Sequence, residues 1–261
     1  MKPIITLSTD FGTKDPYVGA IKGVLLSSIP DASIIDLTHE LDLFKPCNAL
    51  PFLKDTITWF PEDSFHLVIV DPGVGSDRIP LQIHSPFGWI FLPDNGLPAL
   101  MDEWFPNLSF RRIPYLEGQP EKERSPTFQG RDLFARALIQ QAKAKKGTHL
   151  GTPLYPDALT RSFDPTPSGM CRIWNVDHFG NILLGCHVSS PPERILLPDA
   201  PMIIPYVRFY QDVPVGNLGI LINSSGWLEI FQREGSAQKL WNLQKGDRIR
   251  ILLEGGEYKS L

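Results

Sequence analysis

The sequence has little of several things that usually announce a function. Its 261 residues contain three cysteines, Cys47, Cys171 and Cys186, odd in number and far apart. They suit neither a disulfide framework nor a metal motif, and a reducing cytoplasm is the simplest home for such a chain. The N-terminus runs straight into Ile4-Ile5-Thr6-Leu7-Ser8, only a strand's length, so no membrane-spanning or secretory segment is expected. Neither charge dominates: 25 Lys and Arg stand against 29 Asp and Glu, a net charge of −4. That balance excludes a general pull toward nucleic acid or anionic membrane. No G-x-x-x-x-G-K-[ST] loop is present to cradle phosphates, and no G-x-S-x-G elbow presents a serine. The six histidines show no i,i+4 pair and no neighbouring cysteine ligand, so no metal site is expected.

Proline, by contrast, is abundant, with 25 residues against 21 glycines. Because proline is excluded from helix interiors and central strands, its positions mark connections. The first half alternates strand and helix patterns. Strands are predicted over Ile4–Ser8, Ser33–Leu37, Phe65–Val70 and Trp89–Leu92. Helices are predicted over Tyr17–Ser28, Pro46–Phe60 and Arg131–Lys145, with Pro51 either in the first turns of the second or kinking it. Such alternation implies an α/β domain with a mainly parallel sheet over residues 1–150. Residues 151–169 read as a proline-rich connector, and the texture already changes at Gly147. Residues 170–261 carry short strand-like runs and one short helix, Ala237–Leu243. They imply a smaller all-β, barrel-like domain.

Ligands of an open parallel sheet bind beyond the carboxyl ends of its strands. Three polar clusters fall there: Asp10-Phe11-Gly12 with Asp15, Asp71-Pro72-Gly73-Val74-Gly75, and Asp94-Asn95-Gly96. One Asp-Gly turn is usually only a turn, but three after successive strands point to a site. Gly73-Val74-Gly75 begins like a dinucleotide fingerprint, yet Arg78 replaces the third glycine and Pro80 follows. His66 lies in a buried strand pattern and reads as a core histidine. His39, in Leu37-Thr38-His39-Glu40, suits a site and a turn equally. In the second half, Asp177-His178-Phe179-Gly180-Asn181 and Asn223-Ser224-Ser225-Gly226 supply small polar groups that also fit hairpin turns. Phe179 and Trp227 offer flat faces that suit either a purine or a core.

Taken in order, these segments resemble one family. Thr9-Asp10-Phe11-Gly12 with Asp15-Pro16-Tyr17-Val18-Gly19, Asp36-Leu37-Thr38-His39-Glu40, Val70-Asp71-Pro72-Gly73-Val74-Gly75 and Pro93-Asp94-Asn95-Gly96-Leu97 look like its N-terminal motifs. Thr127-Phe128-Gln129-Gly130-Arg131-Asp132, Asp177-His178-Phe179-Gly180-Asn181, Asn223-Ser224 and Gly235-Ser236-Ala237 continue the series. The family is that of the S-adenosyl-L-methionine (SAM) hydroxide adenosyltransferases, or SAM hydrolases, relatives of the SAM-dependent fluorinase and chlorinase. The resemblance implies attack of water or hydroxide on C5′ of SAM, giving adenosine and L-methionine. It further implies a homotrimer with sites at subunit interfaces, SAM as substrate and no cofactor.

By the same resemblance, Asp71, Arg78 and Gln129 occupy the positions of the family's water-orienting Asp-Arg-His set. Asp10 and Phe44 match ribose contacts, Asp15, Asp177 and Ser224 the methionine end, and Asn181 and Ala237 the adenine, with Phe179 beside them. Gln129 departs from the family's histidine: it donates and accepts hydrogen bonds but takes up no proton near neutral pH. Two alternatives to hydrolysis therefore stay open: a non-catalytic SAM- or adenosine-binding protein with a decayed site, and a SAM-dependent halogenase.

Overall fold

Phe65-His66-Leu67-Val68-Ile69 is buried at all five positions, as a strand covered on both faces must be. Each fully buried Leu or Ile of such a strand stabilises the fold by about 1.5–3 kcal/mol. The strand belongs to the first of two units, Met1–Phe163 and Asp164–Leu261. The structure is a computed structural model and describes residues 2–114, 125–163, 166, 170–188, 190–192, 194–197, 202–254 and 258–260. Among the described residues no helix is long and apolar enough to cross a membrane.

The first unit is built on β1 (Ile4–Thr9), β2 (Ser33–Thr38), β3 (Phe65–Ile69), β4 (Pro80–Ser85), β5 (Gly88–Pro93), β6 (Ser109–Arg112) and β7 (Thr152–Leu154). They form one sheet in the order β2-β1-β3-β5-β4-β6-β7. The pairs β2-β1, β1-β3 and β3-β5 are parallel. The other three, β5-β4, β4-β6 and β6-β7, are antiparallel, so the sheet is mixed rather than mainly parallel. The reason is local: β4 returns directly to β5 through a tight hairpin, where a parallel pair would need a crossover.

Helix α1 (Tyr17–Ser28) turns Ile21 and Leu25 inward as the spacing predicts. They pack with Leu67, Ile69 and Phe91 of the sheet and with Leu133, Phe134 and Leu138. The predicted helix over Pro46–Phe60 breaks into a 3₁₀ turn (Pro46–Ala49), α2 (Leu50–Thr56) and a second 3₁₀ turn (Ile57–Trp59). Pro51 has no N–H to continue an α-helix from the segment before it, and the seam falls at that point. Helix α3 (Leu97–Trp104) follows β5, and Arg131–Lys145 resolves into a π-helical turn (Gly130–Phe134) running into α4 (Ala135–Lys143). Of the expected connector, Thr152–Leu154 pairs with β6 inside the first unit. Its residues 164, 165 and 167–169 lie outside the described residues.

His66 is a core residue, as expected. Its Nε2 donates to the Phe87 carbonyl at 2.9 Å and its Nδ1 lies 2.8 Å from the Thr6 hydroxyl. Burial pushes its pKa down to about 4.

The second unit contains β8 (Met170–Val176), β9 (Ile182–Val188), β10 (Arg194–Leu197), β11 (Met202–Ile203), β12 (Leu218–Ile222), β13 (Trp227–Gln232), α5 (Ala237–Trp241), β14 (Arg248–Arg250), β15 (Leu252–Glu254) and β16 (Tyr258–Ser260). Its ladders are antiparallel: β12-β13-β9-β8-β14 with β16 on β9, and a smaller β11-β10-β15 sheet. The chain passes from one sheet to the other at Ile251, where β14 ends and β15 begins. No ladder closes these sheets into a barrel among the described residues.

The cysteine expectation is corrected here. Cys171 on β8 and Cys186 on β9 are joined in a disulfide, with Cα atoms 6.3 Å apart. Their distance along the chain concealed the contact, because antiparallel pairing of β8 and β9 folds them face to face. Cysteine content therefore no longer argues for a reducing compartment.

Candidate functional site

Because β1, β3 and β5 are adjacent and parallel, their carboxyl ends meet at one edge, which carries Asp10, Asp71 and Asp94. These acids have different work. The Asp94 carboxylate accepts from the Thr160 N–H and hydroxyl at 3.0–3.1 Å, and Asn95 donates to the Val70 carbonyl at 2.7 Å. The third cluster thus fastens segments together, and burial raises the Asp94 carboxyl above the ordinary range.

Asp71 is held quite differently. Arg78 Nε donates to Asp71 Oδ1 at 2.5 Å and Arg78 Nη2 to Asp71 Oδ2, a two-pronged pair with both side chains buried. The same Nη2 donates to Gln129 Oε1 at 2.8 Å. The three residues singled out from sequence therefore form one continuous set. Gln129 immediately precedes the π-helical turn, and its amide carbonyl is occupied by Arg78. Its –NH₂ group is the end left to donate to a ligand.

Asp10 continues β1, and Phe44 is brought to it: the Phe44 N–H bonds the Asp10 carboxylate. Phe44 adopts a left-handed φ of 60° and is 71% exposed, so its ring is presented rather than packed. Burial raises the Asp10 carboxyl above its usual range, and the like charge of Asp71 adds to this. Bonds from its own N–H and that of Phe44 oppose the shift. Asp15 is exposed in the turn ahead of α1.

His39 belongs with the site edge. Its Nδ1 lies 2.9 Å from the Thr9 hydroxyl, and its Nε2 lies 3.1 Å from Asp36 Oδ1. Lys22 completes the chain on Asp36 at 2.5 Å. Burial pushes the Asp36 carboxyl up, but the Lys22 and His39 contacts prevail and hold it below the usual range. The His39 carbonyl accepts the Gly12 N–H and the Thr9 carbonyl the Leu41 N–H, so the ends of β1 and β2 are pinned on either side of Asp10.

In the second unit the Asp177 carboxylate accepts from the N–H groups of Phe179 and Asn181 at 2.9 and 2.8 Å and from the Asn181 amide at 3.0 Å. That closes the turn and leaves Phe179 74% exposed. Gly180 has a φ of 84°, and a Cβ there would collide with Ser236 at the start of α5, so the close approach demands glycine. Gln238 N–H bonds the Gly180 carbonyl at 3.0 Å, which brings the buried Ala237 against the same turn. Ser224 is exposed on the β12–β13 turn, where the Asn223 side chain accepts from the Ser225 and Trp227 N–H groups. Trp227 is fully buried and belongs to the core.

Sequence reasoning passed over Glu229 and Tyr210. Glu229 is buried in β13, and the Tyr210 hydroxyl donates to it at 2.7 Å. The available signal was a lone acid within the apolar run Trp227-Leu228-Glu229-Ile230-Phe231.

A mixed α/β unit with a buried Asp–Arg–Gln set at its strand ends, followed by a β unit with polar turns, defines a two-unit enzyme. Its Asp–Arg–Gln set is suited to holding a small nucleophile. The chain belongs to the SAM hydroxide adenosyltransferase family: residues 5–151 match the family's N-terminal domain and residues 171–250 its C-terminal domain. It is 32% identical over 269 residues to the (R)-S-adenosyl-L-methionine hydrolase of Methanocaldococcus jannaschii, covering 95% of each chain. It is 30% identical to that of Salinispora arenicola, covering 95% of this chain and 97% of the relative. A fluorinase of an Actinoplanes species is 24% identical, over 95% of this chain and 97% of the relative. A crystal structure of an uncharacterised conserved protein from Thermotoga maritima superposes with a TM-score of 0.81 at 28% identity, covering 95% of this chain and all of that one.

Proposed function

We propose that this protein hydrolyses S-adenosyl-L-methionine at C5′, releasing adenosine, L-methionine and a proton. The observation that carries the reading is the buried Asp71–Arg78–Gln129 set, in a chain about 30% identical to SAM hydrolases along nearly its whole length. The sulfonium leaves as a neutral thioether, so the leaving group needs no proton. Catalysis reduces to placing and polarising an oxygen nucleophile in line with the C5′–S bond.

Asp71 accepts the hydrogen bond, and finally the proton, of the attacking water. Arg78 supplies a fixed positive charge beside the developing hydroxide. Gln129, its carbonyl engaged by Arg78, donates from its –NH₂ to the same oxygen and orients it. Asp10 receives the ribose diol and Phe44 flanks it. Asp15, Asp177 and Ser224 hold the methionine end, while Asn181, Ala237 and Phe179 receive the adenine. No cofactor is required, because the substrate carries its own activation.

We also infer a homotrimer, in which residues of the second unit reach the substrate of a neighbouring copy. The exposed rings of Phe44 and Phe179 support it, since both gain cover by association. A cytoplasmic location follows from the substrate, an intracellular metabolite.

Incubation of purified protein with SAM tests the function. Adenosine and methionine are expected in equal amounts. SAM left intact by concentrated enzyme, with no adenosine above a heat-killed control, overturns the reading. Tight calorimetric binding of uncleaved SAM would identify a binding protein instead.

A further inference from the structure

His39 is 6% exposed, yet its ring nitrogens face polar groups, Thr9 on one side and Asp36 on the other. Both its side chain and its backbone turn toward the segment that carries Asp10. The Thr9 hydroxyl, 2.9 Å from His39 Nδ1, also accepts the Phe11 N–H at 3.3 Å. The His39 carbonyl accepts the Gly12 N–H at 2.8 Å. One residue thus reaches the chain before Asp10, through Thr9, and after it, through Phe11 and Gly12. The backbone of Asp10 is held while its carboxylate is left to other work.

The direction of these bonds follows from Asp36. A carboxylate only accepts, so its 3.1 Å contact with Nε2 places the proton of the neutral ring there. Nδ1 is then an acceptor for the Thr9 hydroxyl, and the lone pairs of that hydroxyl remain for the Phe11 N–H. Lys22 of α1 holds Asp36 of β2 at 2.5 Å. Lys22, Asp36, His39 and Thr9 therefore form one polar chain that ties α1 and β2 to the end of β1.

His39 also opens the segment that meets Asp10 from the other side. Two residues on, the Leu41 N–H bonds the Thr9 carbonyl at 3.1 Å. The segment then reaches Phe44, whose left-handed backbone points its N–H at the Asp10 carboxylate. The carboxylate is oriented by that N–H and by its own, and its remaining lone pairs are what it can offer a ligand.

We propose that His39 is a positioning residue that sets the Asp10 carboxylate for a vicinal diol, and so governs how strongly the site prefers a ribose to a deoxyribose. A carboxylate reads two adjacent hydroxyls by accepting from each, which demands a fixed orientation as well as a charge. His39 acts through Thr9 and the Phe44 segment, not on the reacting atoms. The inference rests on the SAM-hydrolase reading for the identity of the diol, and it goes beyond that reading by giving His39 a task and the site a discrimination.

The test compares SAM with its 2′,3′-dideoxy analogue, for wild type and His39→Leu, by steady-state kinetics and by calorimetry. Leucine fills much of the ring's space and removes both polar links. KM and Kd for SAM should rise about 10-fold or more, with kcat within about threefold. Values for the dideoxy analogue should stay within about twofold, so the preference for the diol shrinks. An unchanged KM for SAM, or equal changes for both compounds, overturns the proposal.

Should His39→Leu fail to fold, Thr9→Val removes the hydroxyl between the ring and Phe11 and carries the same comparison, and Thr9→Ser should restore the preference. Binding is read apart from turnover. A wild type that prefers SAM to the dideoxy analogue in binding but leaves it uncleaved sinks only the hydrolase reading. One that binds the two compounds equally overturns the proposal alone, and one that binds no SAM overturns both.

Discussion

The first unit keeps its polar centre buried at the ends of packed strands, whereas the second displays its polar groups on turns. Asp71 and Arg78 are both almost completely enclosed and locked by two parallel bonds. Asp177 is locked too, but by the N–H groups of its own turn, which leaves an aromatic ring projecting beside it. On the proposed site assignment, the contrast matches what each end of the substrate would need. Bond breaking at C5′ requires a fixed charge in a water-poor setting, where electrostatics are strong. Recognition of the flat or flexible substrate ends requires exposed groups with a rigid backbone behind them.

Breaking the buried pair should show the largest effect. Arg78→Ala leaves Asp71 enclosed without its cation. Adenosine release should fall by about 10²–10³-fold, and unfolding free energy by about 3–5 kcal/mol. Measured rates and denaturation curves check both. If the variant keeps both rate and stability, the first unit's centre is not the locked device described.

The next test separates the units by what loosens each. Above pH 6.5 the His66 ring is neutral in the folded and unfolded chain alike. As pH falls toward 4 the unfolded chain takes up the proton first, so stability is lost through that window. The loss from His66 amounts to roughly 3 kcal/mol, and His66→Gln should flatten that part of the pH–stability curve. The second unit should respond instead to reductant: opening a disulfide with a sequence separation of 15 costs it about 3 kcal/mol. Hydrogen exchange resolved by segment should place the acid effect in residues before Phe163 and the reductant effect after it. Equal responses in both would erase the distinction.

The smallest effect is expected at Gln129. Replacing it by histidine should change the rate by less than about tenfold, if its role is orientation. A histidine there should add a limb near pH 6.5 to the rate profile, absent from the wild type. A gain of 10²-fold or more would instead make proton transfer at this position the missing step.

Much of this contrast was legible in the residues, and the gaps have physical causes. The apolar run Phe65–Ile69, the face Ile21/Leu25 and the Asp-Gly turns after β1 and β3 declare themselves by period and position. The family motifs located Asp71, Arg78 and Gln129, and the structure links them through Arg78 Nη2. The antiparallel half of the sheet was not visible because β4 opens with Pro80 and β7 contains Pro153, both readable as loop. The Cys171–Cys186 bond and the Glu229–Tyr210 bond depend on strand register and on a distant segment, and neither leaves a local period.

The π-helical turn at Gly130–Phe134 has a further consequence. It is a helix turn carrying one residue beyond the α-helical count, and each α-helical residue advances the angle by about 100°. Deleting one residue from this turn would restore an ordinary helix and leave α4 seated in the core. Everything ahead of the deletion would then be indexed round the helix axis by that angle, swinging Gln129 off Arg78. The additional residue is thus an angular setting, and chain length within one turn governs where the amide of Gln129 faces.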